Sequence, residues 1–182
     1  MLQHLDTQDD SKDMTENTQK NQSDAINPRM VPLTIHAQYI KDLSFENPRA
    51  PQSLMPGLAM PGMDVNVTLD ARKVDAIRPE STSYEVILHI EAKATREKNA
   101  IFIVELDYAV VASVANEVPE QHHHPLLMIE APKLAFPFAR QILSDLTSQA
   151  GFPPLLLNPV DFEGMYRDQY LAQARAANTS AA

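Results

Sequence analysis

Four stretches of the chain alternate apolar and polar residues almost without a break, and this leaves little choice of local structure. Leu33, Ile35, Ala37 and Tyr39, then Leu43 and Phe45 beyond Lys41, are apolar at odd positions, as are Met63, Val65, Val67, Leu69 and Ala71. In the next two stretches the even positions carry the pattern: Tyr84, Val86, Leu88, Ile90 and Ala92, then Phe102, Val104, Leu106, Tyr108 and Val110. A period of two sends successive side chains to opposite faces of a strand. The second face therefore collects Asp42, Glu46, Asp64, Asp70, Glu85, Glu91, Glu105 and Asp107, with Lys93 nearly the only cation. A face of one sign repels nucleic acid and suits a basic partner.

The 182 residues fit one domain with tails. A net charge of -9 and a pI near 5.0 argue against polyanions and against an anionic membrane surface. There is no cysteine, which excludes disulfides and thiolate metal sites. Four glycines, Gly57, Gly62, Gly151 and Gly164, are too scattered for either phosphate-binding loop. No apolar run reaches the ~20 residues of a membrane span, and Met1 to Asp6 lacks the charged and apolar regions of a secretory signal.

Residues 1–30 are polar, acidic and poor in large apolar side chains, and a disordered tail is expected there. Strands are expected at about Pro32–Glu46, Met63–Ala71, Ser83–Ala94 and Ala100–Ala112, with Thr95–Asn99 as a hairpin loop. Between the first two, Pro48, Pro51, Pro56 and Pro61 make an extended loop bearing Leu54, Met55, Leu58 and Met60. Pro119-Glu120 reads as a helix start. Leu134, Phe138, Ile142 and Leu146, flanked by Ala135, Ala139 and Leu143, predict an amphipathic helix from Lys133 to near Gly151, with Pro137 in its first turns. Asp161 can cap a last helix through about Ala176, leaving 177–182 as a flexible tail. Strands followed by helices predict an α+β domain over 31–176, a four-stranded antiparallel sheet with helices on one face.

Three groups of residues carry a family resemblance: Tyr39-Ile40-Lys41-Asp42-Leu43-Ser44-Phe45-Glu46 with its trailing Pro48, Ala131-Pro132 to Phe136-Pro137-Phe138-Ala139-Arg140, and Gly151-Phe152-Pro153-Pro154 to Pro159-Val160-Asp161-Phe162. In this order, over roughly Pro32 to Leu171, the chain resembles the SecB family of bacterial protein-export chaperones. The resemblance implies a homotetramer, a dimer of dimers, that binds unfolded preproteins in the cytoplasm and hands them to the SecA motor. It implies no enzymatic activity and no cofactor. By motif it places SecA contacts on Asp42, Glu46, Ile103 and Glu105, all four already assigned to the acidic face by parity. It places client contacts on Val65, Val67, Leu69, Phe152, Leu155 and Leu157. The Pro56–Gly62 loop and the N-terminal tail look longer than the enterobacterial pattern, and His122-His123-His124 is unusual.

Acidic strand residues often form nothing more than a solvated face. Here Ile101 and Ile103, expected among the carboxylates, look like the centre of an interface with a polar rim. Adjacent histidines on a helix point about 100° apart, so the tract is a helix-start surface or subunit contact before it is a metal site. The Phe152–Leu157 run is either a core-sealing loop or an exposed contact for client or subunit. Met55 and Met60 on their loop suit a surface that repacks around different ligands. Open carboxylates lack the desolvated pairing that acid–base catalysis requires. The reading is an ATP-independent holdase; the alternative is an adaptor whose acidic face binds a basic protein without holding clients.

Overall fold

The computed structural model describes residues 32–57, 59–77 and 81–169. The tails expected at 1–30 and 177–182, the end of the last helix and Leu58 lie outside the described residues. Four strands, β1 (Leu33–Glu46), β2 (Gly62–Val74), β3 (Ser81–Arg96) and β4 (Asn99–Ala115), form one sheet in the order β1-β4-β3-β2, with every neighbour antiparallel. β2, β3 and β4 run a few residues beyond their expected bounds, and β1 starts one residue later than expected. The β3–β4 hairpin closes on two residues, Glu97 and Lys98, with φ of 51° and 68°. Positive φ at both positions is the turn geometry that matches strand twist.

A helical run follows the sheet without interruption. It passes from a 3₁₀ turn (Glu120–His122) through one α turn, α1 (His123–Pro125), and a π turn (Leu126–Glu130) into α2 (Ala131–Gln149). The helix thus begins at Pro119-Glu120 and continues through the position predicted for a separate start. Pro132 has no N–H to give and its ring crowds the preceding turn, and the wider π turn falls immediately before it. At the other end Gly151 (φ +87°) takes the left-handed position. Its N–H bonds Ser148 O and the Phe152 N–H bonds Thr147 O, so two terminal carbonyls are satisfied.

The core lies between the sheet and these helices. Val86, Leu88, Ile90, Val104, Leu106, Val110 and Val114 from β3 and β4 meet Ala131, Ala135, Phe136, Ala139 and Leu143 from α2, with Leu157 and Phe162. Three alanines at spacing four bring the helix backbone close to the sheet. That packing reverses part of the sequence reading. The core stripe expected for α2 begins with Leu134 and Phe138, yet both are more than half exposed, and the buried stripe lies alongside them.

β1 carries a second reversal. Its pairing with β4 slips between Ile35 and Ala37 and again between Ile40 and Asp42. Each bulge inserts one residue and inverts the parity that follows. Gln38 and Ile40 therefore oppose Val110 and Tyr108 on the helix side, while Ala37 and Tyr39 oppose Val111 and Ala109 on the polar side. The second bulge restores the original phase, so Leu43 and Phe45 again face the helices opposite Leu106 and Val104. In β4 the pairing shifts between Ala94 and Thr95 and skips Ile101. Ile101 is buried in the core cluster and does not stand among the carboxylates as expected.

Candidate functional site

Two surfaces stand out, on opposite sides of the sheet. The first is an apolar groove of about 340 Å³. One wall comes from the β1–β2 connection, through Leu54, Met55 and Met60, and from Met63 at the start of β2; the other is Phe152 to Leu156. Phe102 closes the floor, its ring 4.9 Å from Phe152 and 5.6 Å from Phe45. The connection is held by Ser53 Oγ donating to Asn47 Oδ1 (2.8 Å), Arg49 to Asn99 Oδ1 (2.7 Å) and Arg96 Nε to the Ala59 carbonyl (2.7 Å). The opposite wall is pinned by Thr147. Its fully buried hydroxyl donates to Leu143 O and accepts the Leu155 N–H at 2.9 Å. Pro153 and Pro154 keep that wall extended without presenting N–H groups that need partners.

An extended segment alternates its side chains, and Thr147 fixes the phase. Leu155 is half-buried in the groove, Leu156 is 62% exposed, and Leu157 turns inward to the core. Of the six residues named for clients, Phe152 and Leu155 line the groove and Leu157 does not. Val65, Val67 and Leu69 lie on the helix side of edge strand β2, opposite Ala92, Ile90 and Leu88. They continue the same-face row that starts at the groove residue Met63. Leu156, Leu54 and Phe102 also line the groove, although none of them is among the client contacts that the resemblance implies. The run of three leucines is the signal for Leu156, but its phase depends on a distant hydroxyl.

The second surface is the polar side of the sheet. The register puts Glu46 opposite Ile103, Ser44 opposite Glu105 and Asp42 opposite Asp107, so Asp42, Glu46, Ile103 and Glu105 share one two-strand patch. Ile103 is half-buried, with Lys93 on its other flank; Asp42, Glu46 and Glu105 are exposed. Two acid pairs sit directly across from each other, Asp42 with Asp107 and Glu91 with Glu105. Like charges in that position weaken a sheet. Asp107 is met by His89, whose Nδ1 lies 2.5 Å from its carboxylate.

Lys93 is not nearly the only cation there. Lys41, displaced by the second bulge, and Arg72 from β2 both reach Glu85 Oε2, at 2.8 and 2.5 Å, and the Tyr39 hydroxyl donates to Glu85 Oε1. Glu85 is 3% exposed rather than solvated as the alternation implies. Burial pushes its carboxyl up, but the hydrogen bonds from Lys41, Tyr39 and Arg72 and the Lys41 charge outweigh it and hold the pKa at about 2, against an ordinary 4.5. The hydrogen bond to Glu85 in turn raises the Tyr39 phenol. The cluster ties β1, β3 and β2 together across β4.

The three histidines part company. His123 is buried, its Nε2 at 2.9 Å from the Val118 carbonyl and its Nδ1 at 2.9 Å from the Tyr84 hydroxyl. The first contact requires the proton on Nε2, and in the neutral ring Nδ1 then accepts from the Tyr84 hydroxyl. His124 contacts Tyr166, and His122 lines a shallow pocket with Glu117 and Glu130. Among the described residues no three His, Cys, Asp or Glu side chains are grouped to hold a metal ion. No helix there is long and apolar enough to cross a membrane.

Relatives place this architecture. The protein-export protein SecB of Maricaulis maris is 47% identical over 145 residues, 80% of this chain and 81% of that protein. That of Parvibaculum lavamentivorans is 44% identical over 163 residues, 90% and 94% of the two chains. A solved structure of a SecB-like chaperone from Mycobacterium tuberculosis, in complex with an antitoxin peptide, has a TM-score of 0.54 at 14% identity. It covers 71% of this chain and 88% of that one, a likeness of fold. Residues 27–173 match the family described as preprotein translocase subunit SecB, and the chain belongs to the SecB family.

Proposed function

We propose that this protein is a protein-export chaperone of the bacterial cytoplasm that holds unfolded preproteins in the apolar groove without nucleotide and presents them to SecA on the acidic face. One observation carries the reading: the groove exposes Leu54, Met55, Met60, Met63 and Leu156 together, on a chain that has a core of its own to bury them in. Contiguous exposed apolar surface marks a binding site. Burial contributes roughly 25 cal/mol per Å² of apolar area, so weak contacts of this kind discriminate unfolded from folded chains, not one sequence from another. A ligand that binds only the unfolded form delays folding by mass action. Suppressed aggregation of an unfolded protein in the absence of nucleotide tests the holding activity; an adaptor with an acidic face alone leaves aggregation unchanged.

The acidic patch supports the second half. Its opposed carboxylates weaken the isolated sheet and are relieved by a basic partner, with Ile103 as the apolar centre. Rim charges steer encounter and are screened by salt; a central apolar contact is not. Glu105→Lys is therefore expected to weaken SecA binding severalfold at low salt and to flatten its salt dependence. Ile103→Ala is expected to weaken it at every salt concentration. SecA titrations across a salt series distinguish these outcomes, and unchanged affinity in both variants would place docking elsewhere.

Assembly as a dimer of dimers is supported by three features. Leu134 and Phe138 are exposed on α2, Arg140 Nε is buried with no acceptor among the described residues, and β1 is a sheet edge with Ile40 and Leu43 exposed. Helix packing and edge pairing between copies satisfy all three. The expected mass in solution is four times the 20.3 kDa chain. Light scattering at micromolar concentration measures it, and a monomer would contradict the assembly. Many grooves on one particle convert weak contacts into avidity.

A further inference from the structure

The described residues contain five methionines, and they fall into two sets. Met128 is 7% exposed and Met165 is half-buried, and neither lines the groove. Met55, Met60 and Met63 are 61%, 86% and 43% exposed, and all three line it. Among the described residues the exposed thioethers are thus concentrated on the surface proposed to hold clients. We propose that Met55, Met60 and Met63 form an oxidant-modification site, at which hydrogen peroxide makes sulfoxides and lowers the affinity of the groove for apolar clients. This rests on the groove holding clients.

The chemistry is a two-electron oxygen transfer. The thioether sulfur attacks one peroxide oxygen, an S–O bond forms as the O–O bond breaks, and the proton on the transferred oxygen passes to the leaving one, which departs as water. Sulfur is oxidised and peroxide reduced, with no other reactant. Exposure governs susceptibility, so the groove set reacts before Met128 and Met165. The product carries a strong acceptor oxygen on what was a soft, apolar side chain. A client segment that covers this oxygen strips its water without replacing the hydrogen bond, which opposes binding. About a fivefold loss of affinity is expected when all three are oxidised.

The test uses the full chain treated with graded hydrogen peroxide and then catalase, with sulfoxides located by peptide mass spectrometry. The probe is reduced, carboxymethylated lactalbumin, a permanently unfolded protein, titrated by fluorescence anisotropy. Affinity should fall as sulfoxides appear at Met55, Met60 and Met63. It should recover when methionine sulfoxide reductase and a dithiol return them to thioethers. In the combined M55L, M60L and M63L variant the ratio of affinities before and after peroxide should be near one, whatever its starting affinity. M60L alone, judged on the same ratio, should lose less than the unsubstituted chain. Sulfoxide at all three positions with unchanged affinity overturns the proposal, as does an equal loss in the triple variant. Failure of the unoxidised chain to bind the probe is a different result, and it removes the groove reading and this one together.

Discussion

Replacing Leu155 and Leu156 together by Ser lowers affinity for an unfolded client by roughly thirtyfold, and the sheet and helices remain intact. Leu156 is 62% exposed and Leu155 half-buried, so a client can still bury a large part of both side chains. Losing about 1 kcal/mol of burial at each gives about 2 kcal/mol, which corresponds to that loss of affinity. The fold itself loses little at Leu156, which contributes almost nothing to the core, and about 1 kcal/mol at Leu155, which packs partly against it. Leu157→Ser is the contrasting case: it cuts a core side chain and costs stability on the order of 2–5 kcal/mol. Calorimetric titration with an unfolded protein, beside urea denaturation of each variant, separates the two effects. Unchanged client affinity in the double variant would remove this wall from the binding site.

Glu85→Gln is expected to destabilise the fold by about 2–3 kcal/mol at neutral pH. The carboxyl falls from 4.5 to about 2 on folding, and each tenfold change in an acid dissociation constant corresponds to roughly 1.4 kcal/mol. Partial solvent exposure of Lys41 and Arg72 keeps the figure toward the lower end. The sign follows from a depressed acid. The stabilisation is fully present above pH 4.5 and is lost as pH falls toward 2, where the native carboxylate also takes up its proton. Urea denaturation at pH 7 and at successively lower pH should therefore show the two proteins converging. A constant difference down to pH 2 would mean that the Glu85 charge is not what stabilises the cluster.

Periodicity makes the four strands, their common polar face and the α+β plan legible, because alternation survives in β2, β3 and most of β4 without interruption. It fails where one residue changes the count. The two bulges of β1 leave no mark in the pattern of Ala37, Gln38, Tyr39 and Ile40, so alternation puts Tyr39 on the wrong side of the sheet. The bulge at Ile101 does the same in β4. Glu85 reads as a solvated acid because Lys41 and Arg72 lie 44 and 13 residues away along the chain, and only folding brings them together. In α2 the apolar residues spread over two stripes, and the alanines take the inner one because small side chains permit the closer approach. The groove is half legible. Its leucines, prolines and loop methionines are visible, but which leucine turns inward depends on a hydrogen bond from Leu155 to Thr147.

Under the proposed function, clients and SecA are held on opposite sides of one sheet, and site-specific photo-crosslinking tests this directly. A photo-reactive phenylalanine analogue placed at Met60 samples the groove; the same group at Ser44, opposite Glu105, samples the acidic face. With an unfolded client and SecA both present, client adducts are expected from position 60 and SecA adducts from position 44. Client captured from position 44, or SecA from position 60, at comparable yield would contradict the two-sided arrangement.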